Sequence, residues 1–500
     1  MFAAAWLALF AAAHASAART PQQQMRERAQ QMRDLVTAHI DSELEAYAPV
    51  SPTVAAVAEF ITGDLTFWNP VRTVLILDGH VFVDKGFLER ASKSFMHVAY
   101  LSSIQRNSFD WNKTAVPLNN VVYNYHMSSS GDPGDSAKAS LYKSPPVVIA
   151  KIRGVAQQGI MIPNPYFGDG DLDTWGQDCA VFKRAAQVDW EKRAPRAFWR
   201  GGIVATKSCK ANSGNYARLQ ALTLTLFHRK DVDAMCNSPH FCGANQSQQC
   251  PKVTYDDNYL FARKNLGKLV DKHIEREEYV RYRYLLNLPG KTLGSYSRNL
   301  NHLWSLKSVV LLWKANYSEW LYPALEDGET HLDVDYETLV PAVQRLNADA
   351  ALVDRLREGA ARVHDALVCP RCLATHMSHV ADKLRARFSL GTVLDDPCET
   401  YLVFANWTAC DSIDLVDIDL NRHVHHRLDK DGTGIVATGR GCDVVLRSTR
   451  AKCCARPPEQ RGGGIDCSAG AAGAGADSMP QRRQKQKQKH TKAAKAASPA

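Results

Sequence analysis

The sequence has no apolar run long enough to cross a membrane. The longest run, residues 2–13, contains twelve residues, whereas a membrane-spanning helix needs about 20. Ala15-Ser16-Ala17 follows it, and this small-residue pattern is typical of a signal peptidase site. We therefore interpret residues 1–17 as a secretory signal peptide. A short buried helix is the alternative, because the run is preceded by no positive charge except the amino terminus.

The main body of the chain also lacks a strong excess of charge. The formal net charge is +9, but seven lysines and arginines lie between residues 482 and 495 without a single acid, so the rest of the chain carries only +2. Because nucleic-acid binding depends on clustered positive charge, we expect no nucleic-acid partner. We expect the Gly/Ala-rich and Lys/Gln-rich residues 461–500 to be a disordered basic tail. The tail is either a solvated extension or a contact for anionic glycans or lipid.

No second cysteine pair stands near Cys369 and Cys372 to complete a zinc site. The pair interrupts a helical pattern instead of following a strand, which disfavours a thioredoxin-like redox centre. We therefore predict a structural disulfide. Nine of the other eleven cysteines suggest a stapled loop and a small disulfide-held appendage; they are Cys236, Cys242 and Cys250, then Cys398, Cys410, Cys442, Cys453, Cys454 and Cys467.

Thirteen cysteines and four N-glycosylation sequons agree with an oxidising compartment. The chain ends in Ala-Ser-Pro-Ala and carries no endoplasmic-reticulum retention tetrapeptide. We expect the protein to be in the lumen of the endoplasmic reticulum or Golgi, or to be secreted, with no membrane span.

Short apolar runs alternate with helical patterns between residues 71 and 388. The runs are VRTVLILDG, HVAYLSS, NNVVYNY and PPVVIAK, followed by AFWRGG, YRYLLNLPG and SVVLLW. This alternation predicts an α/β protein in which two mainly parallel, Rossmann-like lobes enclose a cleft. The predicted units are a helical segment laid across the surface (18–64), a first lobe (65–195), a second lobe (196–390), a cysteine-rich extension (391–460) and the tail (461–500).

Two loops after predicted strands of the second lobe suit a diphosphate, because ligands of open α/β sheets bind at the carboxyl ends of the strands. In Arg200-Gly201-Gly202 the glycines let the backbone approach a phosphate while the guanidinium clamps it; a simple turn is the alternative. In the second loop, Ser297 is a natural helix N-cap. Ser295 and Arg298 would then stand beside a helix start that favours an anion; a capped surface helix is the alternative.

These segments, together with their neighbours, resemble glycosyltransferase family 90. The resemblance rests on five features in order: Gly159-Ile160-Met161-Ile162-Pro163-Asn164-Pro165 after Lys151; Arg200-Gly201; Tyr282 to Asn287 with Gly290, Ser295 and Arg298; Ser308-Val309-Val310; and Glu319 to Leu325. It covers roughly residues 65 to 390.

The resemblance implies a two-lobed GT-B fold that binds a UDP-sugar mostly in the second lobe. The donor is expected to be UDP-glucose or UDP-xylose, and the acceptor a hydroxyl group of a protein or glycan. Arginine and the helix dipole, and no metal ion, would stabilise the departing UDP in an inverting reaction. Glu319 is placed near the ribose by analogy. The Asp-x-Asp pairs are interpreted as solvated turns; they are Asp169/Asp171, Asp171/Asp173, Asp231/Asp233 and Asp333/Asp335.

The resemblance implies a catalytic aspartate base after a strand and a short loop. Asp132, which follows the NNVVYNY strand, is the candidate, and its distance from Lys151 favours it over Asp135. The loop before it is longer than the family pattern, and Met127 stands nearer the usual place of the base. A catalytically inactive binding or scaffolding relative is therefore the alternative. The second arginine expected soon after Arg200-Gly201 is also missing, and Thr206 and Lys207 stand in that region.

Overall fold

The computed structural model describes most of the second predicted lobe and parts of the remaining chain. The described residues are 20–45, 71–77, 80–84, 121–126, 146–152, 159–164, 180–203, 214–237, 264–290, 299–388, 396–406, 410–414, 441–461 and 465–468. The predicted signal peptide, the HVAYLSS strand and most of the basic tail lie outside them.

Strands are found in six of the seven apolar runs named above, and HVAYLSS is the run that lies outside. The strands of the described residues are β1 Val71–Leu77, β2 His80–Asp84, β3 Val121–His126, β4 Pro146–Val148, β5 Lys151–Ile152, β6 Ile160–Met161, β7 Ala194–Gly201, β8 Val232–Cys236, β9 Tyr282–Asn287, β10 Val309–Trp313, β11 Tyr317–Ser318, β12 Leu332–Val334 and β13 Cys410–Asp414.

Helices separate and follow these strands. The α-helices of the described residues are α1 Pro21–Glu45, α2 Ala180–Gln187, α3 Gly214–Phe227, α4 Leu300–Leu303, α5 Leu339–Ala348, α6 Ala350–Val363, α7 Pro370–Phe388, α8 Pro397–Asn406 and α9 Gly441–Cys454. A π-helical segment, His364–Val368, joins α6 to α7. None of the described helices is both long and apolar enough to span a bilayer.

The second block forms a parallel sheet, as predicted. Its strand order is β12-β10-β9-β7-β8, and every neighbouring pair is parallel. Every residue of β8 and β10 is buried, as expected when helices cover both faces of a parallel sheet. One apolar cluster lies on each face of the sheet. Successive residues of β7, β9 and β10 belong alternately to one cluster and to the other.

The first block is a mixed sheet, so the prediction of a mainly parallel sheet is wrong there. Its order is β13-β2-β1-β3-β4-β6, in which β1–β2, β1–β3 and β2–β13 are antiparallel. Leu77 pairs with His80, so only Asp78-Gly79 connects β1 to β2, and a two-residue Asp-Gly connection favours a hairpin. The edge strand β13 comes from the cysteine-rich extension. The GT-B arrangement and the unit boundaries stay predictions.

The predicted N-terminal helix is confirmed as α1, but it contributes to the core as well as to the surface. Met32, Val36, Ile40 and Leu44 are all buried, and their four-residue spacing places them on one helix face. They belong to the same apolar cluster as Phe198 of the second sheet. The polar composition of this helix conceals the buried stripe.

The predicted disulfide between Cys369 and Cys372 is confirmed, at the junction of the π-helical segment and α7. In the extension, Cys398 is bonded to Cys453 and Cys454 to Cys467. Cys236, at the end of β8, is also disulfide-bonded. The disulfide-held character predicted for the extension is thus confirmed for the part that is described.

Candidate functional site

The predicted donor loops begin at one edge of the second sheet. Because β7 and β9 are parallel, their carboxyl ends meet at the same edge. The register pairs Phe198 with Leu285, so Arg200 and Asn287 stand at the same level, two residues further along. Gly201 and Gly202 follow on one strand, and Pro289 and Gly290 on the other. The structure therefore brings the beginnings of the two loops together.

The side chain of Arg200 lies at the carboxyl-terminal edge of the second sheet and is paired with two carboxylates. Its Nη1 lies 2.9 Å from Oδ1 of Asp233, and its Nη2 donates to Oδ2 of Asp271 at 2.8 Å. Nη1 also donates to the carbonyl of Asp233 at 2.8 Å. The guanidinium thus joins β7, β8 and the segment after β8.

The interpretation of Asp231/Asp233 as a solvated turn is wrong for Asp233. This residue lies within β8, is 7% exposed, and pairs with Arg196 as well as Arg200. Burial alone would raise the pKa of Asp271, but hydrogen bonds from the Lys272 backbone N–H and from Arg200 hold that pKa below its usual range. The sequence does not reveal that either acid pairs with Arg200, because both lie far along the chain from it.

Only glycine fits at position 201, because the ring of Trp199 occupies the space that a Cβ would need. A Cβ built on Gly201 would lie 2.3 Å from Cζ2 of the Trp199 ring. Trp199 is 1% exposed, and the guanidinium of Arg218 lies over its ring, with Cζ 5.3 Å from the ring centroid. The ring therefore has little room to move away.

We expect Gly201→Ala to lower the free energy of unfolding by about 1–3 kcal/mol, the usual cost of overpacking. Gly267→Ala is the matched control, since a Cβ there meets nothing within 4 Å; it should change stability by less than about 1 kcal/mol. Urea unfolding of the two variants measures the difference. Equal stabilities would contradict the steric role of Trp199.

Arg218 of α3 forms hydrogen bonds with both loops, and it was not predicted from the sequence as a site residue. Its Nε donates to the carbonyl of Pro289 at 2.9 Å, and its Nη1 donates to the carbonyl of Gly202 at 2.5 Å. The side chain is buried, and burial lowers its pKa to about 9. Among the described residues its guanidinium has no carboxylate partner, and Nη2 makes no hydrogen bond to them.

The helix after the second loop differs from the prediction. It begins at Leu300, and its N-cap is Asn299 instead of Ser297. It continues as a 3-10 turn only to Leu306, because Lys307 adopts a left-handed φ of 55°. A helix this short supplies little dipole, so the predicted helix-dipole contribution is reduced.

Both ends of this second loop are nevertheless fixed beside the first. Arg218 holds the Pro289 carbonyl, and Asn299 Nδ2 donates to the carbonyl of Arg200 at 3.3 Å. The described residues that flank this loop, Pro289 and Asn299, therefore both lie beside residues 200–202. Ser295, Ser297 and Arg298 themselves lie outside the described residues, as do Asp132, Thr206 and Lys207.

Glu319 is buried, with 2% of its surface exposed. It directly follows β11, which pairs with β5 so that Tyr317 faces Ile152 and Ser318 faces Lys151. Glu319 is thus placed where segments of the two predicted lobes meet. Its predicted position near a ribose stays a prediction.

No group of three or more His, Cys, Asp or Glu side chains in the described residues is arranged to hold a metal ion. The predicted metal independence stays a prediction.

Comparison with known proteins confirms the family resemblance. Residues 153–363 match the family model described as glycosyl transferase family 90. The matched range contains Arg200 to Gly202, Arg218, Ser295 to Arg298 and Glu319, whereas Asp132 precedes it. A search of curated proteins finds no match.

Proposed function

We propose that this chain, which carries a glycosyltransferase family 90 domain, is a UDP-sugar-dependent O-glycosyltransferase with a two-lobed GT-B architecture. It transfers glucose or xylose from the UDP-sugar to a hydroxyl group of a protein or glycan, with inversion and without a metal ion. The family match supports a transferase. The residues of the two donor loops support the diphosphate-containing donor.

The observation that carries this proposal is the buried guanidinium of Arg218. Among the described residues its hydrogen-bond partners are two neutral carbonyls, those of Gly202 and Pro289. Burying a charge is unfavourable unless an opposite charge compensates it, and an anion bound at the shared edge would supply that opposite charge. A diphosphate supplies that charge, and its oxygens suit the planar donors of a guanidinium.

In the proposed reaction the acceptor oxygen attacks the anomeric carbon while the bond between that carbon and the UDP oxygen breaks. Asp132 takes the proton of the acceptor hydroxyl, and UDP leaves with the bonding electron pair. Negative charge grows on the departing phosphate, and Arg218 and Arg298 stabilise it. Ser295 and Ser297 donate hydrogen bonds to the diphosphate, and Glu319 lies beside the ribose.

We propose that Arg200 mainly holds other residues of this site in position. Its guanidinium is already bonded to Asp233 and Asp271, so a direct phosphate contact requires it to exchange one of these partners. Through them it holds β7, with the adjoining Gly201 and Gly202, against β8. The glycines then allow close approach of the diphosphate to the backbone.

We also propose that the protein works in the lumen of the secretory pathway or outside the cell. The Cys369–Cys372, Cys398–Cys453 and Cys454–Cys467 disulfides support this placement, because such bonds persist in oxidising compartments.

Calorimetric titration with UDP and a panel of UDP-sugars in excess EDTA tests the proposal. We expect binding without metal, and Arg298→Ala should weaken it by about 1.5–3 kcal/mol, the contribution of a hydrogen bond to a charged group. The tightest UDP-sugar would identify the donor. Failure of every UDP-sugar to bind would contradict the transferase proposal.

Asp132→Asn separates an active enzyme from an inactive relative. We expect this variant to bind UDP-sugar normally but to lose transfer and donor hydrolysis by roughly 10²- to 10⁴-fold. Wild-type protein that binds the donor but neither transfers nor hydrolyses it would favour the binding or scaffolding alternative.

A further inference from the structure

Two buried asparagines join the first sheet to the helix that follows the second donor loop. Asn164 Nδ2 donates to Asn301 Oδ1 at 3.0 Å, and Asn301 Nδ2 donates back to Asn164 Oδ1 at 3.0 Å. Their exposed fractions are 6% and 5%. Asn164 stands just after β6, and Asn301 is the second residue of α4, 137 positions along the chain.

This reciprocal pair constrains the relative placement of the two segments. Each amide offers one donor and one acceptor to the other, so rotating either amide by half a turn sets oxygen against oxygen and nitrogen against nitrogen. In a buried site such unsatisfied groups are unfavourable. The pair therefore acts as a directional constraint, whereas the apolar packing of Leu300 and Leu303 around it is non-directional.

Asn301 is close along the chain to the residues assigned to the diphosphate. Arg298 precedes it by three residues, and between them Asn299 makes no capping hydrogen bond with its side chain. Helix α4 has only four residues, so its own hydrogen bonds cannot fix its direction. The orientation in which the second donor loop enters α4 thus depends on contacts outside the helix, namely those of Asn299 with the Arg200 carbonyl and of Asn301 with Asn164.

We propose that Asn164 and Asn301 form a positioning pair for donor binding. Asn164, from the first block, fixes α4, the helix that directly follows the second donor loop. This role rests on the proposed function, because it requires that loop to bind the donor. Neither asparagine needs to touch the donor itself.

Asn164→Asp tests this role through its pH dependence. An ionised aspartate accepts the hydrogen bond from Asn301 Nδ2 but turns its second oxygen toward Asn301 Oδ1. A protonated aspartate restores both bonds, because its O–H donates to Oδ1 while its carbonyl accepts from Nδ2. The measured quantity is the affinity ratio, the UDP affinity of the variant divided by that of the wild type at the same pH. We expect this ratio to be roughly one tenth at pH 7.5 and to rise toward one at pH 4.5.

Asn347→Asp is the matched control. Asn347 also makes two side-chain hydrogen bonds, accepting from the Tyr284 hydroxyl at 2.6 Å and donating to the Pro195 carbonyl at 3.1 Å. These partners lie at the opposite, amino-terminal edge of the second sheet. Its change should lower thermal stability without a pH-dependent change in the UDP affinity ratio.

The double variant Asn164→Leu with Asn301→Leu keeps the test decisive if Asn164→Asp does not fold. An apolar pair of similar size should leave the fold intact but still weaken UDP binding roughly tenfold. Wild-type protein that binds UDP, with an unchanged ratio in the folded variants, would overturn the positioning role alone. Wild-type protein that does not bind UDP would overturn the proposed function and this role with it.

Discussion

Replacing Arg218 with methionine is expected to weaken the binding of UDP by roughly 100-fold while leaving the binding of uridine nearly unchanged. The guanidinium donates hydrogen bonds to one carbonyl of each donor loop, those of Gly202 and Pro289. Loss of a hydrogen bond to a charged group costs about 1.5–3 kcal/mol. Uridine carries no phosphate, so it does not draw on this charge.

Isothermal titration of each variant with both ligands measures this effect. Arg229→Met is the control, since Arg229 is exposed just after the same helix, and it should bind UDP like the wild type. Arg218→Lys should fall between, because an ammonium keeps the charge but cannot hold two carbonyls in a planar fork. Equal losses for UDP and uridine would contradict a phosphate-directed role and indicate that the loops had collapsed.

Arg218→Met should also reduce the stability of the free protein. Two buried carbonyls lose their donor, at about 1–3 kcal/mol each, whereas removal of a buried charge offsets part of this cost. Urea unfolding without ligand measures the net change. Calorimetry is then carried out where each variant is fully folded, so that the stability change does not enter the measured affinity.

The second sheet could be predicted from the sequence because its strands are continuous apolar runs. Every residue of β8 and β10 is buried, and such runs are typical of a parallel sheet covered on both faces. The first sheet is harder to predict from the sequence. Its hairpin is signalled only by Asp78-Gly79. Its edge strand β13 pairs with β2, although more than 320 positions separate the end of β2 at Asp84 from the start of β13 at Cys410.

The loops of the candidate site could be predicted, but not what holds them. The order of Arg200, Gly201 and Arg298 is visible in the sequence. Asp233 and Asp271, the partners of Arg200, follow it by 33 and 71 positions, and no local pattern reports such a pairing. Arg218 did leave a signal, since a single arginine stands in the apolar part of α3.

The N-terminal helix α1 contains the carboxylate whose loss we expect to be most destabilising. The side chain of Glu43 is 6% exposed, and its Oε1 lies 2.5 Å from Nζ of Lys151 and 3.0 Å from Nε2 of His39. Its Oε2 accepts the backbone N–H of Met161 at 3.0 Å. One carboxylate thus ties α1 to both β5 and β6, where segments of the two blocks meet.

Glu43→Gln should lower the free energy of unfolding by about 3–5 kcal/mol, the cost of leaving a buried charge without its partner. The amide nitrogen of glutamine would face the ammonium of Lys151 or the N–H of Met161, and both are donors. Glu45→Gln is the control, because Glu45 is exposed on the same helix; it should change stability by less than about 0.5 kcal/mol. Adding Lys151→Met to Glu43→Gln should recover much of the loss.

The pH dependence of stability gives an independent check on the same pair. Burial alone would raise the pKa of Glu43, but the hydrogen bond with His39 and the charge of Lys151 bring that pKa below its usual value. A depressed pKa in the folded state contributes stability above the unfolded pKa of about 4.3, and this contribution is lost as the pH falls through the folded value. The stability difference between the wild type and Glu43→Gln should therefore be full near pH 7 and shrink below about pH 4. A difference that stays constant down to acid pH would show that Glu43 stabilises the protein by packing and not by its charge.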